Sequence, residues 1–179
     1  MKNEQLKIIV ESLIDITEKA GEKTIELYNS GLKIIKKPDE SPVTNGDLEV
    51  DKMLKEKIKE LTPDIPIISE ESVDLKIRNT LKTYWLLDPI DGTKEYISGK
   101  DVYTLNAGLI IDCLPSLGII GVPKKNRLFY SYGKGNSYLI EKNNKIKLDC
   151  KKKTAKNRIL ALTNRSKPSG DILKKLNEF

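Results

Sequence analysis

Residues 103–148 read YTLNAGLIIDCLPSLGIIGVPKKNRLFYSYGKGNSYLIEKNNKIKL, a series of short runs rich in Leu, Ile, Val and Tyr with turn formers between them. Tyr103 to Asp112, Ser116 to Val122, Arg127 to Tyr132, Ser137 to Glu141 and Lys145 to Leu148 have the length and composition of strands. Cys113-Leu114-Pro115, Pro123 to Asn126, Gly133 to Asn136 and Asn143-Asn144 are expected as the turns between them. Connections this short join antiparallel neighbours, so the stretch predicts a meander.

Upstream the period is helical. Leu6, Ile9, Val10, Leu13, Ile16, Ala20, Ile25 and Leu27 recur at three- and four-residue steps, which predicts one amphipathic helix from about Glu4 to Asn29 with a weak point at Gly21. Lys36-Lys37-Pro38-Asp39-Glu40-Ser41-Pro42 reads as a polar loop. A second helix is expected from Asn45 to Leu61, with Leu48, Met53, Leu54, Ile58 and Leu61 turned inward and Pro63 stopping it. Ile65 to Ser69 and Tyr84 to Leu87 then read as short strands, the second apolar throughout, as in a strand buried on both faces. Helices first and strands after is the α+β pattern, two N-terminal helices packed on an antiparallel sheet. Further on, Arg158 to Thr163 reads as a strand and Asp171 to Phe179 as the start of a helix. The reading therefore divides the chain into an N-terminal α+β domain, residues 1–156, and the opening strand and helix of a second layer, residues 157–179. Such an uncovered layer implies self-association, a complementing chain, or a chain cut short.

Of the 179 residues, 38% are hydrophobic and 32% charged, too apolar for disorder and too charged for a membrane-embedded protein. The start lacks the apolar stretch of a signal peptide, and no run approaches the ~18 residues of a spanning helix, so a cytoplasmic protein is expected. Histidine is absent, which excludes His-based triads and His-ligated zinc and leaves acid–base and metal chemistry to carboxylates and hydroxyls. The net charge is +6, but the basic residues are 28 Lys against 4 Arg, alongside 22 Ile. That bias is spread along the chain and reads as general composition, so no nucleic-acid partner is expected. Cys113 and Cys150 form neither a disulfide framework nor a metal cluster.

The chemistry concentrates in Trp85-Leu86-Leu87-Asp88-Pro89-Ile90-Asp91-Gly92-Thr93, where a buried strand runs into a turn forced by Pro89. Asp88 and Asp91 can converge on one hard cation there, with the carbonyl of Ile90 completing its oxygen shell. Gly92 and Thr93 offer amide N–H groups for a phosphate at a helix N-terminus. Adjacent cation and anion sites are what metal-assisted phosphate hydrolysis requires. Ser69-Glu70-Glu71-Ser72 reads either as a solvated acidic turn or as the source of a further metal ligand, Glu70. Thr44-Asn45-Gly46-Asp47 is a capping box for the second helix, and its Asp47 can also point into the site to bind metal or help deprotonate a water.

Ser41-Pro42-Val43-Thr44-x-x-Asp47, Ser69-Glu70-Glu71 and Trp85-x-x-Asp88-Pro89-Ile90-Asp91-Gly92-Thr93 together resemble the inositol monophosphatase superfamily. Asp91-Gly92-Thr93-Lys94-Glu95-Tyr96, followed by Tyr103-Thr104-Leu105-Asn106, is similar to its 3'(2'),5'-bisphosphate nucleotidase (CysQ-like) branch. The resemblance implies a sugar-phosphatase-like αβαβα sandwich whose second αβ layer is largely missing here. It implies metal ligation by Glu70, Asp88, the Ile90 carbonyl and Asp91. Catalysis falls to Thr93 with an acidic partner, Asp47 or Glu70, and substrate binding to Glu70, Ile90, Asp91, Gly92 and Thr93. The implied cofactor is Mg2+. The implied partner is a small phosphorylated nucleotide, 3'-phosphoadenosine 5'-phosphate, cleaved to AMP and phosphate as part of sulfur assimilation. Inositol monophosphate is the alternative substrate, and the resemblance allows peripheral association with an inner membrane. The superfamily's third motif, a Trp-Asp pair supplying a ligand to a second metal, has no counterpart, because the single tryptophan, Trp85, is followed by Leu86. A C-terminally truncated homologue is thus expected, either an enzyme or a catalytically impaired fragment that binds metal or phosphate weakly.

Overall fold

The computed structural model describes residues 1–72 and 81–149, and Met1–Leu148 form one compact unit. The strand expected at Arg158 to Thr163, the helix at Asp171 to Phe179 and the 156/157 boundary lie outside the described residues.

Helix α1 spans Asn3–Ser30 and buries Leu6, Ile9, Val10, Leu13, Thr17, Ala20, Gly21 and Thr24 along one stripe. It runs unbroken through Gly21. A Cβ there would stand 3.2 Å from the Pro123 side chain, so the glycine permits a close approach of helix and sheet. Two short strands omitted by the sequence reading, β1 (Ile34–Lys36) and β2 (Pro42–Thr44), pair antiparallel and turn the polar loop between them into a hairpin. Helix α2 spans Asn45–Leu61 because Thr44 caps it. The Thr44 hydroxyl accepts from the Gly46 and Asp47 amides, and Asp47 Oδ2 accepts from the Thr44 amide at 2.8 Å. Its buried stripe is Gly46, Asp47, Val50, Asp51, Leu54 and Ile58. Leu48, expected inward, is 45% exposed, since it lies off the 3.6-residue stripe that Asp47, Val50 and Asp51 occupy.

A seven-stranded sheet follows in the order β3 (Ile67–Ser69), β4 (Tyr84–Asp91), β5 (Thr104–Ile111), β6 (Leu114–Val122), β7 (Arg127–Tyr132), β8 (Ser137–Glu141) and β9 (Asn144–Lys147). All pairings are antiparallel except β3 with β4, where Ser69 stands opposite Leu87 in a parallel ladder. β4 does not end at Pro89 as expected. Asp88 pairs with Asn106 and Asp91 with Thr104, so Pro89 and Ile90 bulge against Leu105 and the missing proline N–H costs the ladder little. The first hairpin turn is Asp112-Cys113, both at positive φ, in place of Cys113-Leu114-Pro115. Pro115 enters β6 instead, beside a register shift that accommodates it. The last hairpin likewise turns at Lys142-Asn143.

The two helices cover one face of the sheet. Leu105, Ala107, Leu109, Leu117, Ile119, Leu128 and Tyr130 point into that core with Trp85 and Leu87, while alternate residues such as Leu86 and Ile120 are exposed on the opposite face. Helix α3 (Thr93–Ile97) is pinned to α1. Tyr96 donates to the Thr24 carbonyl at 2.7 Å, and the Tyr103 hydroxyl meets Thr24 Oγ1 at 2.7 Å. Among the described residues no helix is long and apolar enough to cross a membrane.

Candidate active site

The parallel pairing of β3 and β4 brings two acids together. With Ser69 opposite Leu87, the next residues, Glu70 just past the end of β3 and Asp88 within β4, follow side by side. Three residues after Asp88, beyond the bulge, Asp91 closes β4. Gly92 adopts a left-handed conformation (φ 96°) that reverses the chain into α3, so Thr93 begins that helix. From the helical layer, α2 contributes Asp47. The five acidic positions around this point come from three separate segments of the sequence, Asp47, Glu70-Glu71 and Asp88/Asp91.

Asp47 and Thr93 meet directly. The Thr93 hydroxyl lies 3.0 Å from Asp47 Oδ1 and 3.1 Å from the Ile90 carbonyl oxygen. It has one proton for two acceptors. The other oxygen of Asp47 is spoken for by Thr44, through its amide at 2.8 Å and its hydroxyl at 2.5 Å. Asp47 is 1% exposed, so the capping box and the Thr93 contact together satisfy a buried carboxylate.

Asp88 is the electrostatic centre. Burial, then the charges of Glu70 and Asp91, then a hydrogen bond with Glu70 and the charge of Asp47 push its carboxyl up to about 7. Its Oδ1 is buried with no hydrogen-bond partner among the described residues. An orphaned carboxylate oxygen surrounded by other carboxylates is an expensive arrangement for the protein alone and a favourable one around a hard cation. The donor set fits a divalent ion with oxygen preference: the Glu70, Asp88 and Asp91 carboxylates and the Ile90 carbonyl. Among the described residues these acids do not yet close into a three-carboxylate cage. Glu70 Oε1 also stands 3.6 Å from the Lys37 ammonium.

The Lys37 ammonium, carried in by the β1–β2 hairpin, pairs with Glu71 at 3.0 Å. Burial depresses the lysine's affinity for its proton, but the Glu71 hydrogen bond and the charges of Glu71, Glu70 and Asp47 outweigh it and raise the net value. Glu71 is raised as well, burial outweighing the opposing pull of Lys37. Its side chain is 6% exposed, against 54% for Glu70. The acidic tetrapeptide is thus split, Glu71 inward as a structural counter-ion and Glu70 outward beside Asp88. Their chemistry is the same; the Lys37 ammonium and the parallel pairing of β3 with β4 set different neighbours beside them.

Glu70, Asp88 and Asp91 line one end of an open recess of about 1100 Å3 over the face of the sheet opposite α1 and α2, with Thr104 and Asn106 beside them. Gly92 stands at the N-terminal edge of α3, and Lys94 within it is exposed.

Residues 5–177 match the model of the inositol monophosphatase family. A 3'(2'),5'-bisphosphate nucleotidase CysQ of Aggregatibacter actinomycetemcomitans is 37% identical over 125 residues, covering 69% of this chain and 46% of that protein. The crystal structure of CysQ from Bacteroides thetaiotaomicron superposes with a TM-score of 0.54 at 27% identity, over 92% of this chain and 55% of that one. An IMPase/NADP phosphatase in complex with Mg2+ and phosphate gives 0.66 at 17% identity, over 75% and 51%, a likeness of fold. The chain spans about half the length of the curated relatives it matches.

Proposed function

Since the chain belongs to the inositol monophosphatase family, we propose that the acids around Asp88 form the site of a magnesium-dependent phosphomonoesterase that hydrolyses the 3'-phosphate of 3'-phosphoadenosine 5'-phosphate, giving AMP and phosphate. The observation that carries this reading is the Thr93–Asp47 hydrogen bond beside the unpartnered, buried oxygen of Asp88. One pair is suited to take a proton from water; the other atom is suited to hold a cation.

Glu70, Asp88, Asp91 and the Ile90 carbonyl would hold the metal. When bound, Mg2+ lowers the pKa of a coordinated water and offsets charge on the phosphoryl oxygens. The protein's own groups supply the rest. The Thr93 proton is shared between Asp47 and the Ile90 carbonyl. With its proton given to Asp47, Thr93 would turn an oxygen lone pair outward to receive a proton from the attacking water. Thr44 holds Asp47 aimed, because two donors occupy its second oxygen. The amides of Gly92 and Thr93, at the left-handed entry to α3, are the protein's donors to the scissile phosphate. General-base assistance of this kind contributes about 100- to 10,000-fold.

The similarity to CysQ proteins supports a nucleotide over an inositol phosphate, and a step that clears a by-product of sulfate activation. A second reading, a fragment that binds metal or phosphate weakly without turnover, draws on the open arrangement of the acids and on the half-length match. Phosphate release from 3'-phosphoadenosine 5'-phosphate with Mg2+ separates them, with Asp88→Asn as control and inositol monophosphate and fructose 1,6-bisphosphate as competitors. Release that needs Mg2+ and Asp88, fastest on the nucleotide, is expected. Release no faster than the Asp88→Asn control would leave only the binding fragment.

A further inference from the structure

Asp51 lies one helical turn beyond Asp47 on the same stripe of α2, and the chemistry above makes no use of it. It is a buried carboxylate, and burying one without compensation is costly. Ser69 Oγ donates to Asp51 Oδ1, and Lys55 Nζ donates to Asp51 Oδ2 at 2.5 Å. The network continues. Ser69 Oγ accepts from the Glu71 amide at 3.3 Å, and Lys55 Nζ also donates to Ser72 Oγ at 2.6 Å. Asp51 and Lys55 therefore grip the chain immediately before Glu70 and again two residues after it.

An ordinary Asp–Lys pair four apart on a helix surface would account for the Lys55 contact alone. It does not account for Ser69, fully buried and 18 residues away, or for Ser72, 17 residues from Lys55. The segment being gripped needs support. β3 has three residues and, among the described residues, pairs only with β4, as an edge of the sheet. Glu70 follows it in a single turn of 3-10 helix, Glu70–Ser72. A long flexible side chain at such a place faces Asp88 only if its backbone is fixed.

We propose that Asp51, Ser69, Lys55 and Ser72 form a clamp that positions Glu70 as a ligand for the divalent cation, so that α2 serves the site twice, with Asp47 acting on Thr93 and Asp51 holding the Glu70 turn. The proposal rests on the metal reading above. All four are positioning residues, acting through the backbone of Glu70.

The test is Mg2+ affinity measured by calorimetry on the full chain without substrate. Charge and position make opposite demands on Lys55→Met. Deleting a cation beside an acidic site tightens Mg2+ binding if only charge matters, whereas loss of the clamp weakens it. Ser69→Ala and Lys55→Met are expected to weaken Mg2+ by about ten- to a hundredfold, as supports behind metal ligands do. Lys55→Arg, which keeps both donors in reach, is expected to bind as the wild type does. If Ser69→Ala fails to fold in EDTA, Lys55→Met decides alone. Unchanged or tighter binding by Lys55→Met, with Asp88→Asn impaired, overturns the clamp and spares the metal reading. No Mg2+ binding by the wild type, or undiminished binding by Asp88→Asn, overturns both.

Discussion

Asp88 stores instability that a cation would release. Its native carboxyl keeps its proton up to about 7, whereas an aspartate in the unfolded chain loses it near 3.8. Between those values the native state binds more protons than the unfolded state, so the metal-free protein loses stability as the pH rises through that window. Asp88→Asn removes the charge. In EDTA it is expected to raise the unfolding midpoint at pH 8 and to leave it nearly unchanged at pH 4, while abolishing the upward shift that Mg2+ gives the wild type. Thermal melts at the two pH values, with and without Mg2+, check this; a variant destabilised at pH 8 would refute the charge argument. Thr93 tests the other half of the site. Thr93→Ala leaves Asp47 without its partner, and kcat on the nucleotide at saturating Mg2+ is expected to fall about 100- to 10,000-fold. Thr93→Ser keeps the hydroxyl and is expected to retain most of the rate.

Helix α2 and the turn into α3 must stay close for Asp47 to reach Thr93, and Gly46 is where they touch. A Cβ on Gly46 would stand 2.8 Å from both Cε1 and the hydroxyl of Tyr96, and 3.1 Å from Thr44 Oγ1. Tyr96 is fully buried, and its hydroxyl is committed to the Thr24 carbonyl, so it has no space to yield. Gly46→Ala is expected to destabilise by about 1–3 kcal/mol through overpacking and to lower kcat as Asp47 is pushed from Thr93. Urea unfolding and steady-state kinetics measure the two effects. The start of α2 was legible beforehand, because Ser/Thr-x-x-Asp marks a cap by purely local hydrogen bonding. The hairpin turns were displaced by a residue or two. Pro115 looked like a turn former, yet the left-handed backbone fell on Asp112 and Cys113, and the proline was absorbed at a register shift. Likewise Pro89 was expected to end β4, and a bulge against β5 carried the strand on to Asp91.

Across the whole molecule the sheet has one face under helices and one facing the recess, and neighbouring isoleucines on β6 report which is which. Ile119 is 1% exposed and Ile120 is 43% exposed. Ile119→Glu would bury an unpaired carboxylate in the core, a cost of several kcal/mol against a total stability of about 5–15. It is expected to abolish the cooperative unfolding transition. Ile120→Glu is expected to shift stability by no more than about 1 kcal/mol. Circular dichroism melts compare the two; equal damage would mean that both faces are packed.

The two long helices, the capped start of α2, the alternation of β5 to β8 and the acids of residues 70, 88 and 91 were all written in local patterns. Each depends on residues a few positions apart, where period, caps and turn formers act. What needed the folded chain was the company those acids keep. Lys37 reaches Glu71 across 34 residues, Asp51 reaches Ser69 across 18, and Thr93 reaches Asp47 across 46. Adjacent glutamates are chemically identical in the sequence. One became a buried counter-ion and the other a candidate ligand because parallel pairing of β3 with β4 and the β1–β2 hairpin set different neighbours beside them, and burial, charge and hydrogen bonding act through space.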